Sequence, residues 1–374
     1  MKILVTGGLG NLGLWFVEYF LSIGYDVTVI GRVEKVLIKH ERYTFLKADV
    51  TDLDCLQSVI GCYYDCCVHT ASLNEHFLDN YSKNALLVNA LGTDNLCHAL
   101  SRFGVGKLVY LSTFHVYGVV SGRVTEQTPV RPLNDYGLTH FFAEKYIEKH
   151  HRNSGLNYCI FRLTNSYGCP KDKNTDKWYL LLNDLCRAAV EHEKLVLNTD
   201  GSARRDFIWM DDVARVVHEA LSPERFLSDC YNLSFGESLQ IADVAKAVVS
   251  AYVSEYSKLL PINIDLASVP ETDSLVVDNS KLLSEIDFVF NHGLMNYLDD
   301  DTVEKGISEI HRITGKYIMN CEKFDETENQ IDENQKFRNM KNKWLNYKVK
   351  LVSDVDMHED IEPDKPRFTL LKKL

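Results

Sequence analysis

The chain opens on an apolar run, Ile3-Leu4-Val5, followed by a glycine-rich turn and then by apolar residues at helical spacing from Leu14 to Ile23. A short apolar run bounded by turn signals reads as a buried strand, and the 3.6-residue recurrence as a helix packed on it. Gly24 ends that helix, and Tyr25 to Ile30 reads as a second strand. Further strands are predicted at Tyr43–Ala48, Asp65–Ala71 and Lys107–Ser112, with an amphipathic helix at Ala85–Leu100 between the last two. Strands alternating with helices predict an α/β fold with a doubly wound, Rossmann-type parallel sheet.

The first turn carries chemistry. Gly7, Gly10 and Gly13 form a G-x-x-G-x-x-G pattern between a strand and a helix. The first glycine permits the tight turn, the second lets backbone approach a diphosphate, and the third lets helix pack on strand. The helix N-terminus adds unpaired N–H groups and the positive end of a dipole. Together they predict a dinucleotide site for NAD or NADP. A carboxylate at the end of the second strand would favour NAD. The chain has Gly31-Arg32 there, which leans toward NADP, with Glu34 close enough to keep NAD open.

Composition narrows the partners. Apolar residues are 45% and charged residues 25%, enough for a sizeable core. A net charge of −12 argues against a nucleic-acid grip, which needs clustered cations. No stretch reaches the roughly 18 apolar residues of a membrane span, and no leader pattern follows Met1, so the expected location is the cytoplasm. The ten cysteines are scattered in apolar runs and read as small buried residues. Cys62, Cys66, Cys67 and His69 lack paired C-x₂-C spacing, so Cys66–Ala71 reads as a buried strand and no metal is expected.

The order of motifs resembles the extended short-chain dehydrogenase/reductases, the nucleotide-sugar epimerases, dehydratases and ketoreductases. The resemblance is carried by Thr6–Gly13, Asp49-Val50-Thr51-Asp52, Val68–Ser72, Asn89–Leu96, Leu108–Gly118, Tyr136–His140, Arg162–Gly168, Arg205–Ile208 and Asp211–Ala214. It spans roughly residues 1–315. The resemblance implies that Gly7, Gly10, Asn11, Leu12, Gly13, Arg32, Asp49, Val50, Thr70, Ala71, Ser72, Asn89, Tyr136 and His140 line the cofactor. It implies Tyr136 as proton acceptor, Thr113 as the hydroxyl that shares the proton, and Thr113, Asn165, Arg204, Arg205 and Trp178 on the substrate side. It also implies a homodimer.

Three positions depart from the family pattern. Four residues after Tyr136 the family has a Lys that holds the ribose and lowers the Tyr pKa; here His140 stands. A neutral histidine can still hydrogen-bond a ribose, but it gives less help to a tyrosinate. His140 could replace the Lys in an active enzyme, the site could be weakened into a binder, or Lys145 or Lys149 could substitute. After Thr113 the dehydratases carry Asp-Glu; Phe114-His115 argues against dehydration and makes His115 a candidate acid/base, with a merely orienting role as the rival. Finally, a second diphosphate Arg is missing upstream of Asp278-Asn279-Ser280-Lys281, where Glu271 and Asp273 stand instead.

The expected organisation is a dinucleotide domain over 1–165, a smaller substrate lobe over 166–315 and a charged extension over 316–374. Residues 321–335 read as a linker or exposed helix, whereas Trp344, Leu351 and Phe368 favour an appendage that packs. The expected activity is NAD(P)-dependent modification of a nucleotide-linked sugar by hydride transfer at C4, as epimerase or dehydrogenase/ketoreductase. The rival is a dinucleotide-binding regulatory or scaffolding protein with an impaired site.

Overall fold

Strand β1 (Lys2–Thr6) buries Ile3, Leu4 and Val5 completely, because parallel strands flank it on both sides and helices cover both faces. In this computed structural model the described residues are 1–74, 81–119, 121–264, 274–285, 288–292, 317–322, 330–332, 335–336, 344, 349–356 and 367–373. The chain divides into two compact units, Met1–Asn279 and Ser280–Leu374.

In the first unit β1 leads to α1 (Asn11–Ser22), β2 (Asp26–Gly31), β3 (Tyr43–Lys47), α2 (Leu53–Val59) and β4 (Tyr64–His69). Then come α3 (Tyr81–Ala85), a π-turn at Leu86–Leu91, α4 (Gly92–Phe103), β5 (Val105–Thr113), a 3₁₀ turn at Phe114–Tyr117 and β6 (Gly122–Val124). The long α5 (Asp135–Ser154) precedes β7 (Tyr158–Leu163) and β8 (Asn165–Tyr167). A 3₁₀ turn at Lys177–Tyr179 leads to α6 (Leu181–His192), β9 (Leu195–Leu197), β10 (Arg204–Trp209), α7 (Met210–Ala220) and β11 (Asp229–Leu233). The unit closes with β12 (Ser238–Gln240), α8 (Ile241–Tyr256), β13 (Ile262–Ile264) and β14 (Leu275–Val277).

Seven strands form one parallel sheet in the order β3-β2-β1-β4-β5-β7-β11. This is the doubly wound sheet expected from the alternation. The order reverses between β1 and β4, and in such sheets ligands bind outside the carboxyl ends at that reversal. Thr6, His69 and Thr113 end the three strands around it. The predicted helix at Ala85–Leu100 is longer than expected, and its π-turn inserts an extra residue per turn. Cys66 and Cys67 are buried strand residues, and burial pushes the Cys66 thiol up to about 12 and Cys67 well above the usual thiol range.

A smaller apolar core lies around α6 and α8, with Leu185, Leu197, Phe207, Val248 and Tyr252 buried together. It adjoins a three-stranded sheet of β12-β10-β8. The second unit contains α9 (Ser280–Ser284) and strands β15 (Phe288–His292), β16 (Tyr317–Glu322), β17 (Gln330–Asp332), β18 (Gln335–Lys336), β19 (Val349–Asp356) and β20 (Arg367–Lys373). Its larger sheet has the order β15-β16-β20-β19, and β17 pairs with β18. The described part of 321–335 is thus strand, not the linker or exposed helix its composition suggested; sheet neighbours decided what acidic composition left open. Trp344 is fully buried. Residues 268–273, with Glu271 and Asp273, lie outside the described residues, as does the 315/316 boundary.

Candidate active site

The glycine turn is built by the absence of side chains. Gly7 has φ +68°, and a Cβ there would lie 2.7 Å from the Ala71 nitrogen. A Cβ on Gly13 would collide with the Gly7 carbonyl oxygen, so α1 packs on β1 only with glycine at that position. Gly10 is exposed and meets only the Gly7 oxygen, leaving room above it. Gly10 caps α1 without a side chain, so the first-turn N–H groups have no side-chain acceptor. Asn11 Oδ1 is buried with no hydrogen-bond partner. Open space above Gly10 and first-turn backbone donors fit the diphosphate of a dinucleotide, and the orphaned Asn11 oxygen fits a donor beside it such as a ribose hydroxyl.

Thr70 and Ala71, two of the residues expected at the cofactor, lie against this turn. Thr70 donates from its hydroxyl to the Thr6 carbonyl at 2.8 Å, which sets Ala71 against Gly7. Leu12 is half-buried in the first turn of α1 and Val50 is buried. Asp49 Oδ1 accepts from the Thr51 N–H and hydroxyl. Arg32 is exposed just past β2, and nearby Lys35 pairs with Asp172 at 2.7 Å. Asn89, also expected at the dinucleotide, is hydrogen-bonded inside the protein. Its Oδ1 accepts from Leu73 N, and its Nδ2 donates to the Leu73 carbonyl and to Thr139 Oγ1. It fastens the loop after β4 to α5.

Helix α5 brings the reactive side chains to the same edge. Asn134 caps it by accepting from Gly137 N at 2.8 Å. Gly137 permits close approach to the 3₁₀ turn, since a Cβ there would lie 2.6 Å from the His115 oxygen. Tyr136 and His140, one turn apart, meet edge to face at 4.5 Å, and His115 lies 5.8 Å from the Tyr136 ring centre. Thr113 ends β5 and accepts from His115 N at 3.2 Å. His140 Nε2 lies 3.1 Å from the Ser72 hydroxyl. An unbroken chain of contacts therefore runs from Gly7 through Ala71 and Ser72 to His140, Tyr136, His115 and Thr113.

His140 is 1% exposed. Burial, with His69 and His115 nearby, pushes its pKa down to about 3, so it is neutral near pH 7. Its Nδ1 lies 2.6 Å from the Tyr110 hydroxyl. On the other side of Tyr110 stacks His69, also buried and pushed down to about 3 by burial. Lys145 and Lys149 do not substitute for the missing Lys: Lys145 pairs with Glu148 and Lys149 with Asp94. Below the site, Arg162 and Glu144 form a buried ion pair at 2.7 Å, and Ser112 donates to the same carboxylate.

On the substrate side, β8 and β10 are parallel neighbours, which brings Asn165 beside the strand carrying Arg204 and Arg205. Asn165 Nδ2 donates to the Asp206 carbonyl. Arg204 Nη2 donates to the Ser238 carbonyl, and exposed Arg205 donates to the Arg204 carbonyl. Trp178 sits in the 3₁₀ turn before α6, its indole N–H donating to the Lys173 carbonyl and its ring facing Arg187 at 5.9 Å. A separate apolar groove of about 620 Å³ is lined by Tyr167, Phe207, Trp209, Val248 and Tyr252, and by none of the residues around Tyr136.

Sequence reasoning missed Tyr110, which reads as one more apolar strand residue. Nor does spacing bring together Asp94, His98 and His150, whose ligand atoms lie within 4.8 Å of one another. Asp94 Oδ1 there already receives both the Lys149 ammonium and the His150 ring. No described helix is long and apolar enough to cross a membrane.

Residues 3–233 match the model of the NAD dependent epimerase/dehydratase family. The UDP-glucose 4-epimerase of Bacillus subtilis is 28% identical over 282 residues, covering 66% of this chain and 81% of that protein. The dTDP-glucose 4,6-dehydratase of Streptomyces niveus is 27% identical over 269 residues, covering 67% and 77%. In fold, the chain resembles the UDP-glucuronic acid 4-epimerase of Bacillus cereus, solved with UDP-glucuronic acid and NAD, at a TM-score of 0.63 and 24% identity, covering 76% of this chain and 92% of that one.

Proposed function

The chain belongs to the NAD dependent epimerase/dehydratase family, and from that premise we propose that it modifies a nucleotide-linked sugar by hydride transfer at C4, as an epimerase or a dehydrogenase/ketoreductase. One observation supports this above the others. Tyr136, His140 and Thr113 are joined by contacts to the glycine turn at the carboxyl edge where β1 and β4 diverge.

The bound dinucleotide would supply the hydride acceptor and donor. Gly7, Gly10, Gly13 and the first turn of α1 would hold its diphosphate. Tyr136 would take the proton from the sugar hydroxyl, with Thr113 sharing it. His140 would hold a ribose hydroxyl by a hydrogen bond without adding charge. His115, exposed at the mouth, would orient the sugar or exchange a proton with it. Arg204 and Arg205 would meet the substrate diphosphate beside Asn165, where guanidinium forks suit the oxygens. Phe114-His115 after Thr113 supports retention of the C4 chemistry without dehydration. Arg32 supports acceptance of the NADP 2′-phosphate beside NAD. The surface of α5 and of the π-turn before α4, with Leu138, Phe142 and Leu91 exposed, suits a two-fold homodimer.

The test is incubation with UDP- and dTDP-hexoses and each dinucleotide, followed by NMR of the sugar and absorbance of the cofactor. Inversion at C4 without net reduction identifies an epimerase; net reduction or oxidation identifies the dehydrogenase/ketoreductase. An NADPH affinity that falls in Arg32→Ala assigns Arg32 to the 2′-phosphate. Dinucleotide binding without any turnover would overturn the enzymatic reading in favour of a dinucleotide-binding regulator.

A further inference from the structure

Away from the glycine turn, α4 and α5 pack together and bring three metal-ligating side chains to one place. Asp94 and His98 stand one turn apart on α4, so both face the same way, and His150 comes from near the C-terminal end of α5. Their ligand atoms all lie within 4.8 Å of one another. The His150 side chain is buried, that of Asp94 largely so, and that of His98 is half exposed. At 1.5 Å per helical residue, His150 lies about 21 Å along α5 from Tyr136, so the cluster is no part of the site described above.

Hydrogen bonding accounts for only part of this cluster. Asp94 Oδ1 accepts from the Lys149 ammonium and from the His150 ring, each at 2.8 Å. Those two contacts satisfy that oxygen and give His98 no role. His98 Nε2 faces the other oxygen, Oδ2, at 3.8 Å, beyond hydrogen-bond reach. One carboxylate and two imidazoles are a donor set for zinc and its neighbours, and too rich in nitrogen for magnesium or calcium. Four-coordinate bonds of about 2.0–2.2 Å put neighbouring ligand atoms about 3.3–3.5 Å apart. The separations of 2.8 and 3.8 Å stand on either side of that value. The His98 and His150 rings now meet edge to face at 4.5 Å, and a turn of His98 on its exposed side aims its lone pair at the shared point.

We propose that Asp94, His98 and His150 form a site for one divalent transition-metal ion of the zinc class, which clips α4 to α5. Asp94 binds through Oδ2 while Lys149 keeps Oδ1, so that an outer hydrogen bond orients the ligating carboxylate. His150 gives up its hydrogen bond to Oδ1 and offers the lone pair of a neutral ring, its proton moving to the other nitrogen. The Lys149 ammonium repels the ion, which sets the expected affinity in the micromolar range. Water fills the fourth position beside half-exposed His98.

The test uses the full chain stripped with EDTA and titrated with zinc chloride near pH 7.5, where an ordinary histidine is neutral. Calorimetry is expected to show one ion per chain, and thermal unfolding a raised midpoint, because the ion holds only the folded pairing of the helices. Magnesium produces neither. His98→Ala, at a half-exposed position, keeps the fold and weakens zinc binding about tenfold or more, and His150→Gln does the same. Cobalt(II) in place of zinc gives the visible bands of a nitrogen and oxygen site, without the near-ultraviolet thiolate band that binding at a cysteine brings. Zinc binding weaker than about 100 μM overturns the proposal. So does binding that survives His98→Ala, or a cobalt spectrum carrying the thiolate band. If His150→Gln does not fold, His98→Ala decides alone. The outcome is independent of the sugar chemistry proposed above.

Discussion

The glycine turn and the Tyr136 constellation share one sheet edge, yet they are specified in opposite ways. The turn is local: Gly7, Gly10 and Gly13 shape it by what they lack, and the backbone of Thr70 and Ala71 presses on Gly7 from outside. The constellation is distributed. Ser72 comes from the loop after β4, Tyr110 and Thr113 from β5, and Tyr136 and His140 from α5, joined by polar contacts within a core. A site made of backbone space is written in spacing. A site made of buried polar pairs depends on partners that spacing does not name.

This contrast breaks most sharply at Tyr136. Tyr136→Phe is expected to lower turnover by about 10²–10⁴-fold while dinucleotide titration stays unchanged, since the turn is intact. Loss of binding in that variant would mean the two regions are not separable. The converse change is Gly13→Ala, whose Cβ collides with the Gly7 oxygen. It should abolish dinucleotide binding and lower stability by about 1–3 kcal/mol in denaturant unfolding. Gly10→Ala, with open space, should cost far less stability.

Acid titration sharpens the comparison next. The glycine turn contains no titrating group, whereas His69 and His140 are both held neutral down to about pH 3. An unfolded histidine titrates near 6.5, so below that pH the unfolded chain binds more protons. Stability is therefore intact above pH 6.5 and declines by about 1.4 kcal/mol per pH unit per histidine as pH falls toward 3. Urea midpoints at pH 7 and pH 5 should show this loss, and His140→Gln should remove about half of the histidine contribution. An unchanged slope would mean that His140 takes up its proton as readily in the fold as in the unfolded chain.

The smallest effect concerns charge alone. His140→Lys places a cation one turn from Tyr136 and favours tyrosinate. The rising limb of the pH–rate profile should then move down by about one pH unit, with the dinucleotide still bound. A profile that does not move would show that Tyr136 ionisation is not what the limb reports.

Much of this was legible in the chain. Apolar runs flanked by Gly7–Gly13 and Gly24 gave β1 and β2 to within a residue and α1 apart from its first three residues, because local sterics and burial on both faces dictate them. The motif order pointed to the family, and the departure at position 140 stood out by spacing. The partners of Asn89 were not legible because an amide has no address in sequence; only the fold shows that it bonds Leu73 and Thr139. Tyr110 was passed over because a phenol in a buried strand looks like any apolar residue until its hydroxyl finds a partner.

The sequence by itself determined the alternating architecture, the glycine turn and the identity of the side chains at the reactive edge. Each follows from short-range geometry: the strand and helix periods, φ at glycine, and the one-turn separation of Tyr136 and His140. Only the tertiary structure decided the state of those side chains. The neutrality of His140, its Tyr110 and Ser72 partners and the engagement of Lys145 and Lys149 elsewhere all arise from contacts between distant segments. Burial sets the cost of a charge and the hydrogen-bond partners set where a proton sits, and both belong to the assembled core.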